Sequence, residues 1–153
     1  MASIEEVESL FPALVGTSYS EESDPTDTYN CIAFAFEDYS NWWWPRPGYG
    51  IYWPLGFPLS DSVDVLIDIF KAYGYSECDD SEVERGFEKV AIYSISLRIK
   101  HAARQLRSGR WASKLGEEQD IEHEKAEHLH NSSYGSATHF LKRHRADWED
   151  VTT

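Results

Sequence analysis

Cysteine is scarce in this chain, with only Cys31 and Cys78 among 153 residues. Two isolated thiols do not make the disulfide framework of a small secreted domain, so a reduced, cytoplasmic protein is the expectation. Long apolar runs are missing too. None nears the roughly 20 residues of a membrane-spanning helix, and no membrane partner is expected. The opening Met1-Ala2-Ser3-Ile4-Glu5-Glu6 has neither the basic start nor the apolar core of a signal peptide. Positive charge is in short supply, with 14 Lys and Arg against 27 Asp and Glu, a net charge of −13. Phosphate backbones reward positive fields, so nucleic acid is not an expected partner. Internal repeats are absent. The histidine-rich run His123–His130 also lacks zinc-protease spacing: His123 and His128 are five apart, about 140° around a helix. Glu124 with His128, or His128 with His130 on a strand, are the pairs left. A solvated face is the preferred reading, with no metal and no cofactor.

What is present begins with enough apolar residues, 41%, to bury a core without staples. One domain over residues 1–145 is expected, with a frayed tail at 146–153. Charge is uneven along it: residues 1–90 hold 18 acidic and 4 basic side chains. Basic residues gather later, at Arg98, Lys100, Arg104, Arg107 and Arg110. A solvated hairpin face is the plainer reading of that strip, and a hold for an anionic substrate group the sharper one.

Ser3 and Glu6 have capping-box spacing ahead of Val7 and Leu10, which predicts a short first helix ended by Pro12. Cys31 to about Tyr39, apolar almost all round, predicts a second, buried helix. Residues 41–58 carry Trp42, Trp43, Trp44 and Trp53 among four prolines and three glycines, a composition that forbids regular helix. Packing is the expected fate of most of these rings, with one or two lining a cleft. A third helix is predicted from Ser60 or Asp61 to Tyr73, closed by Gly74 at its C′ position. Strands are predicted near Tyr75–Cys78, at Phe87–Tyr93, and at Lys100–Leu106 and Arg110–Leu115 around the loop Arg107-Ser108-Gly109. Glu117–His130 is expected to be partly helical, and Tyr134–Lys142 to close the sheet. Early helices followed by antiparallel strands make the fold class α+β.

Chemistry centres on Cys31, placed where an apolar helix begins. A thiol there meets unpaired N–H groups and the positive end of the helix dipole, which favour thiolate. His101 heads a strand and is the candidate base. Pairing Leu106 with Arg110 would put His101, Ala103 and Gln105 on one face with Trp111, Ser113 and Leu115. Ser113 then becomes a diagonal neighbour of His101 and a candidate orienter, with Asp120 the alternative. Cys78, beside Glu77 and Asp79, sits in a carboxylate-rich setting that raises a thiol pKa.

This arrangement resembles the papain-like superfamily, especially its compact bacterial amidase and peptidase branch. There a cysteine opens a helix packed on an antiparallel sheet, a histidine opens a later strand, and a polar orienter follows on the next. Cys31 matches the nucleophile and His101 the base. Ser113 stands where that superfamily usually has His, Asn, Asp or Glu. A closer likeness covers most of the chain. Asn30-Cys31-Ile32-Ala33, Trp42-Trp43-Trp44-Pro45, Tyr52-Trp53-Pro54, Lys89-Val90-Ala91-Ile92-Tyr93, His101–Leu106 and Ser113-Lys114-Leu115-Gly116 are similar to a small bacterial family of unknown function.

The expectation is a cysteine hydrolase acting on an amide, isopeptide or thioester bond of a peptide, amide or glycan-containing substrate. Backbone N–H groups with Asn30 would hold the oxyanion, and Trp42, Trp43, Trp44, Trp53 and Trp111 would bind substrate. The alternative is a non-catalytic papain-like module, holding a protein or glycan through the tryptophan loop.

Overall fold

The computed structural model describes residues 1–148. Among them lie helices α1 (Ile4–Leu10), α2 (Cys31–Ala35) and α3 (Val63–Ala72). The strands are β1 (Tyr19–Glu21), β2 (Trp42–Trp43), β3 (Ile51–Tyr52), β4 (Ser76–Cys78), β5 (Phe87–Ile95), β6 (Arg98–Gln105), β7 (Trp111–Lys114), β8 (Asp120–His123) and β9 (Ser136–His144). Seven of them form one antiparallel sheet in the order β1-β8-β7-β6-β5-β9-β4, while β2 and β3 pair in parallel on their own. The chain is therefore α+β, with helices on both faces of the sheet.

Those two faces carry separate cores. On one side α2 and α3 lay Ile32, Phe34, Leu66 and Phe70 over Val90, Ile92, Ile99, Ala102 and Leu141. On the other, Val7 of α1, Phe11 and Leu14 meet Ala91, Tyr93, Ala103, Trp111 and Ile121. Odd and even positions of β5 thus divide between the cores, as the period of two requires, while in β6 Ile99 and Ala102 share a face because one extra residue, Lys100, lies between them. Ala102 faces α2, while Ala103 faces α1.

Most element positions follow from local chemistry. Ser3 and Glu6 form a reciprocal capping box at α1. Gly74 takes the left-handed conformation just past α3, at φ +96°. The β6–β7 hairpin has the expected register, with the Leu106 N–H bonded to the Arg110 carbonyl at 2.7 Å and Gly109 at φ +95°.

Four expectations need correction. Helix α2 ends at Ala35, because Glu37 turns left-handed at φ +59° and closes it four residues before Tyr39. The segment Glu117–His130 is not one helix: Ile121 and His123 point into the core at alternate positions, giving β8, and only Ala126–Leu129 coils, as a 3-10 turn. Strand β9 does not close an edge but runs between β5 and β4. Of the expected tail, Ala146–Trp148 forms a 3-10 turn, and 149–153 lie outside the described residues.

Two irregularities matter for the site. Tyr93 pairs with His101 and Ser94 with Ile99, so Lys100 is an extra residue in β6. On the opposite edge of β5, Ile92 pairs with His139 and Tyr93 with Ala137, leaving Thr138 extra in β9. Bulges re-aim side chains and concentrate near functional sites.

Candidate functional site

Asn30 builds the wall from which Cys31 projects. As N-cap of α2, its Oδ1 accepts from the Ala33 N–H at 3.1 Å and from the Trp43 N–H at 3.1 Å. Its Nδ2 donates to the Trp43 carbonyl at 2.7 Å. One amide thus caps the helix and pins β2 beside it. Expected at an oxyanion, Asn30 is occupied structurally, with one amide hydrogen uncommitted.

Cys31 is the first residue of α2, 9% exposed, and lines a cleft of about 350 Å³. Trp42, Trp44, Arg46, Lys100, Gly116 and Tyr134 share that lining with Asn30. A larger hollow of about 480 Å³, between Glu84, Arg107 and Trp148, has neither cysteine nor histidine in its wall. Burial is the largest influence on the thiol and pushes it up to about 11. The Ala102, Ile32 and Cys31 backbone N–H groups and the Lys114 charge work the other way, and lose. The thiolate expected from a helix start is not favoured here, because five residues of helix offer little dipole and the sulfur is desolvated.

His101 lies deeper. It is fully buried, stacked face to face on Tyr134 with centroids 4.2 Å apart and edge-on to Tyr93 at 4.9 Å. Among the described residues neither ring nitrogen has a hydrogen-bond partner, so no bond joins it to Cys31, Ser113 or Asp120. Burial, with His123 nearby, holds its pKa well below the usual histidine value, and the ring is neutral. Tyr134 belongs both to this stack and to the cleft wall. It is the residue that connects His101 to the thiol's surroundings.

The expected orienters are engaged elsewhere. Ser113 bonds to His123 Nε2 at 2.9 Å, and His123 Nδ1 lies 2.9 Å from the Lys125 carbonyl. Because a carbonyl only accepts, the assigned tautomer carries its proton on Nδ1, and the Ser113 hydroxyl donates to Nε2. Burial pushes His123 down to about 4. Asp120 sits on the α2 face, where its Oδ2 accepts from the Tyr29 hydroxyl at 2.9 Å. Burial raises its pKa.

The tryptophans divide. Trp42 and Trp44 line the cleft. Trp43, 3% exposed, stacks on Phe36 at 4.4 Å and donates its indole N–H to Asp38 at 2.7 Å. Trp111 lies in the second core. Trp53 closes its own loop by donating to the Pro58 carbonyl at 3.0 Å. Trp43 and Trp111 therefore leave the substrate-binding set, since a ring that fills a core has no face to offer. Cys78, half-buried in β4, is raised by burial and lies apart from the cleft.

Sequence reasoning missed Tyr134, Arg46 and the role of His123. It also missed Lys114, whose fully buried ammonium donates to the Thr26, Gly116 and Glu118 carbonyls. Lys114 and His123 lie in stretches the sequence marks, Ser113–Gly116 and His123–His130, but nothing local gives their partners, and no motif marks Tyr134 or Arg46. The described residues contain no group of three His, Cys, Asp or Glu side chains able to hold a metal ion, and no helix long and apolar enough to cross a membrane.

The fold and cleft define an α+β domain with a thiol and an aromatic wall at the end of a short, amide-capped helix. The chain belongs to a family described as a domain of unknown function, DUF7689, whose model matches residues 20–142. No curated protein and no solved structure matches it.

Proposed function

We propose that the protein is a thiol hydrolase of papain-like architecture, acting on an amide, isopeptide or thioester carbonyl at Cys31. The observation that carries this reading is the placement of Cys31 at the first position of α2 and in the wall of a 350 Å³ cleft. The order of parts supports it: a cysteine opening a helix on an antiparallel sheet, a histidine on β6, and a polar residue, Ser113, on β7. In the reaction His101 takes the Cys31 proton and the sulfur attacks the carbonyl carbon. The C–N or C–S bond breaks, and the leaving group takes the proton back from the imidazolium. Water then attacks the acyl-enzyme thioester, losing a proton to His101, and the acid departs as the thiol is restored.

At rest the two partners are neutral and unbonded, so the cycle begins with a shift of Tyr134 that admits His101 to the cleft. Catalytic hydrogen bonds are often made only in the substrate complex. Hydrolysis of aryl thioesters and aryl amides by wild type, Cys31→Ala and His101→Ala tests the reading. Both variants are expected to lose at least about a hundredfold in kcat/KM. Wild-type rates in Cys31→Ala would overturn it.

One observation favours a second reading. A thiol raised to about 11 and a buried, unpartnered, neutral histidine also suit a papain-like module without catalysis. Trp42 and Trp44 would then hold a peptide or glycan. Slow, Cys78-like alkylation of Cys31 by iodoacetamide together with no turnover would select it.

A further inference from the structure

We propose that the Cys31 cleft is a carboxylate-binding site, in which Arg46 and Lys100 hold an anionic group of the acyl substrate. As a statement about substrate class it rests on the thiol-hydrolase reading; as a statement about binding it does not.

The charge distribution is the first ground. In a chain of net charge −13, most cations find a carboxylate partner. Lys71, Lys89, Arg98, Arg104, Arg110, Lys142, Arg143 and Arg145 all make ion pairs. The side chains of Arg46, Lys100, Arg107 and Lys125 make no ion pair or hydrogen bond among the described residues, and of these four Arg107 and Lys125 line other hollows, while Arg46 and Lys100 line the Cys31 cleft. No Asp or Glu shares that lining.

The backbone supplies the second ground. Lys100 is the extra residue of the β6 bulge, set directly before His101. Bulges turn a side chain out of its regular direction, and this one delivers a lysine to the cleft. Arg46 stands between Pro45 and Pro47, whose fixed φ angles limit the freedom its backbone must lose when a ligand binds. The indoles of Trp42 and Trp44 supply apolar walls, which lower the local dielectric and strengthen a charge pair. A guanidinium presents a planar fork that matches a carboxylate, and an ammonium adds a point charge beside it. The buried Lys114 charge, close enough to Cys31 to act on the thiol, adds to the positive field.

Iodoacetate and iodoacetamide test this directly, since they alkylate a thiol by the same displacement and differ in charge. The readout is the ratio of the two rates at Cys31, in wild type and in Arg46→Gln/Lys100→Gln. A cleft of one charge sign raises local anion concentration by about tenfold or more, so the ratio should fall about tenfold in the variant. The iodoacetamide rate itself should stay within about twofold. Arg107→Gln/Lys125→Gln removes two charges elsewhere and should leave the ratio unchanged. Quenching of tryptophan fluorescence by iodide and by acrylamide gives a readout that needs no reactive thiol. The iodide constant should drop in Arg46→Gln/Lys100→Gln, with the acrylamide constant unchanged. Equal ratios and equal iodide constants in wild type and variant would overturn the proposal. Loss of the anion preference only in the cleft variant, without any turnover by wild type, would uphold the site and sink the hydrolase reading alone.

Discussion

The rings of Tyr134 and His101 lie 4.2 Å apart and within 8° of parallel, and the imidazole is wholly shielded from water. A histidine in that position gains stacking and apolar contact but gives up hydration of both nitrogens, which burial penalises most in the protonated form. Tyr134 thus keeps His101 neutral at rest. Tyr134→Ala should raise the His101 pKa toward the ordinary value of about 6.5 and speed Cys31 alkylation near neutral pH. Imidazole proton shifts against pH, with alkylation rates in the same variant, check both. A His101 titration that stays well below the ordinary value would show that deeper packing, not Tyr134, excludes water. The thiol carries its own expectation. In wild type the alkylation rate of Cys31 should keep rising with pH toward about 11. A plateau near 8.5, the ordinary thiol value, would mean that the sulfur is far better solvated than the cleft geometry implies.

Helix α2 has five residues, too few to hold itself in water, and its place is set by what binds its start. Asn30→Ala removes an N-cap, typically about 1 kcal/mol, and also strands the buried Trp43 N–H and carbonyl, at about 1–3 kcal/mol each. The loss should exceed 2 kcal/mol, and Asn30→Asp, which keeps the acceptor and not the donor, should fall between. The tryptophans behind it differ in kind. Trp43→Ala should cost about 3–5 kcal/mol, as a large core truncation does. Trp44→Ala, at a half-buried ring of the cleft wall, should cost much less. Thermal or denaturant unfolding of the variants measures all of these, and equal losses at Trp43 and Trp44 would contradict the division. These elements also show what was legible beforehand. Cys31 at a helix start, the β6–β7 register and the α+β class follow from local patterns: an apolar run, a Gly109 loop, alternating strands. The partners of Ser113 and His101 do not. They depend on Tyr134 and His123, which arrive from 33 and 22 residues beyond His101 in sequence and carry no local signal. The end of α2 was equally hidden, because a left-handed Glu37 is a tertiary choice that no propensity announces. The Trp-rich segment holds no helix, as its prolines require, yet it pairs Trp42–Trp43 with Ile51–Tyr52 in parallel, and which ring faces the core depends on the Asn30 staple.

Across the whole molecule, two fully buried histidines sit on the α1 face of the sheet, and their protonation opposes folding. His101 is held well below the usual histidine value and His123 is pushed down to about 4, both chiefly by burial. A depressed folded pKa means that the unfolded chain binds protons first, so stability falls as pH drops below the unfolded value of about 6.5. For His123 alone the loss between pH 7 and pH 5 is on the order of 2 kcal/mol. His101 acts in the same window with the same sign. Carboxylates act mainly lower. Asp120, with a raised folded pKa, favours the fold as pH falls through the carboxyl range, whereas Asp38 and Asp80, with lowered values, lose their contribution there. Between pH 7 and 5 the imidazoles should therefore set the slope, against a small opposing gain from relief of acidic self-repulsion. His123→Gln can keep a hydrogen bond to Ser113 without a titrating ring, and His101→Phe keeps the stack on Tyr134. Denaturant unfolding at pH 7 and pH 5 should show a clear loss in wild type, a smaller one in each variant and the smallest in the double variant. A wild type equally stable at both pH values would mean that protons reach these rings in the folded state, and His101 would then need no displacement of Tyr134 to serve Cys31.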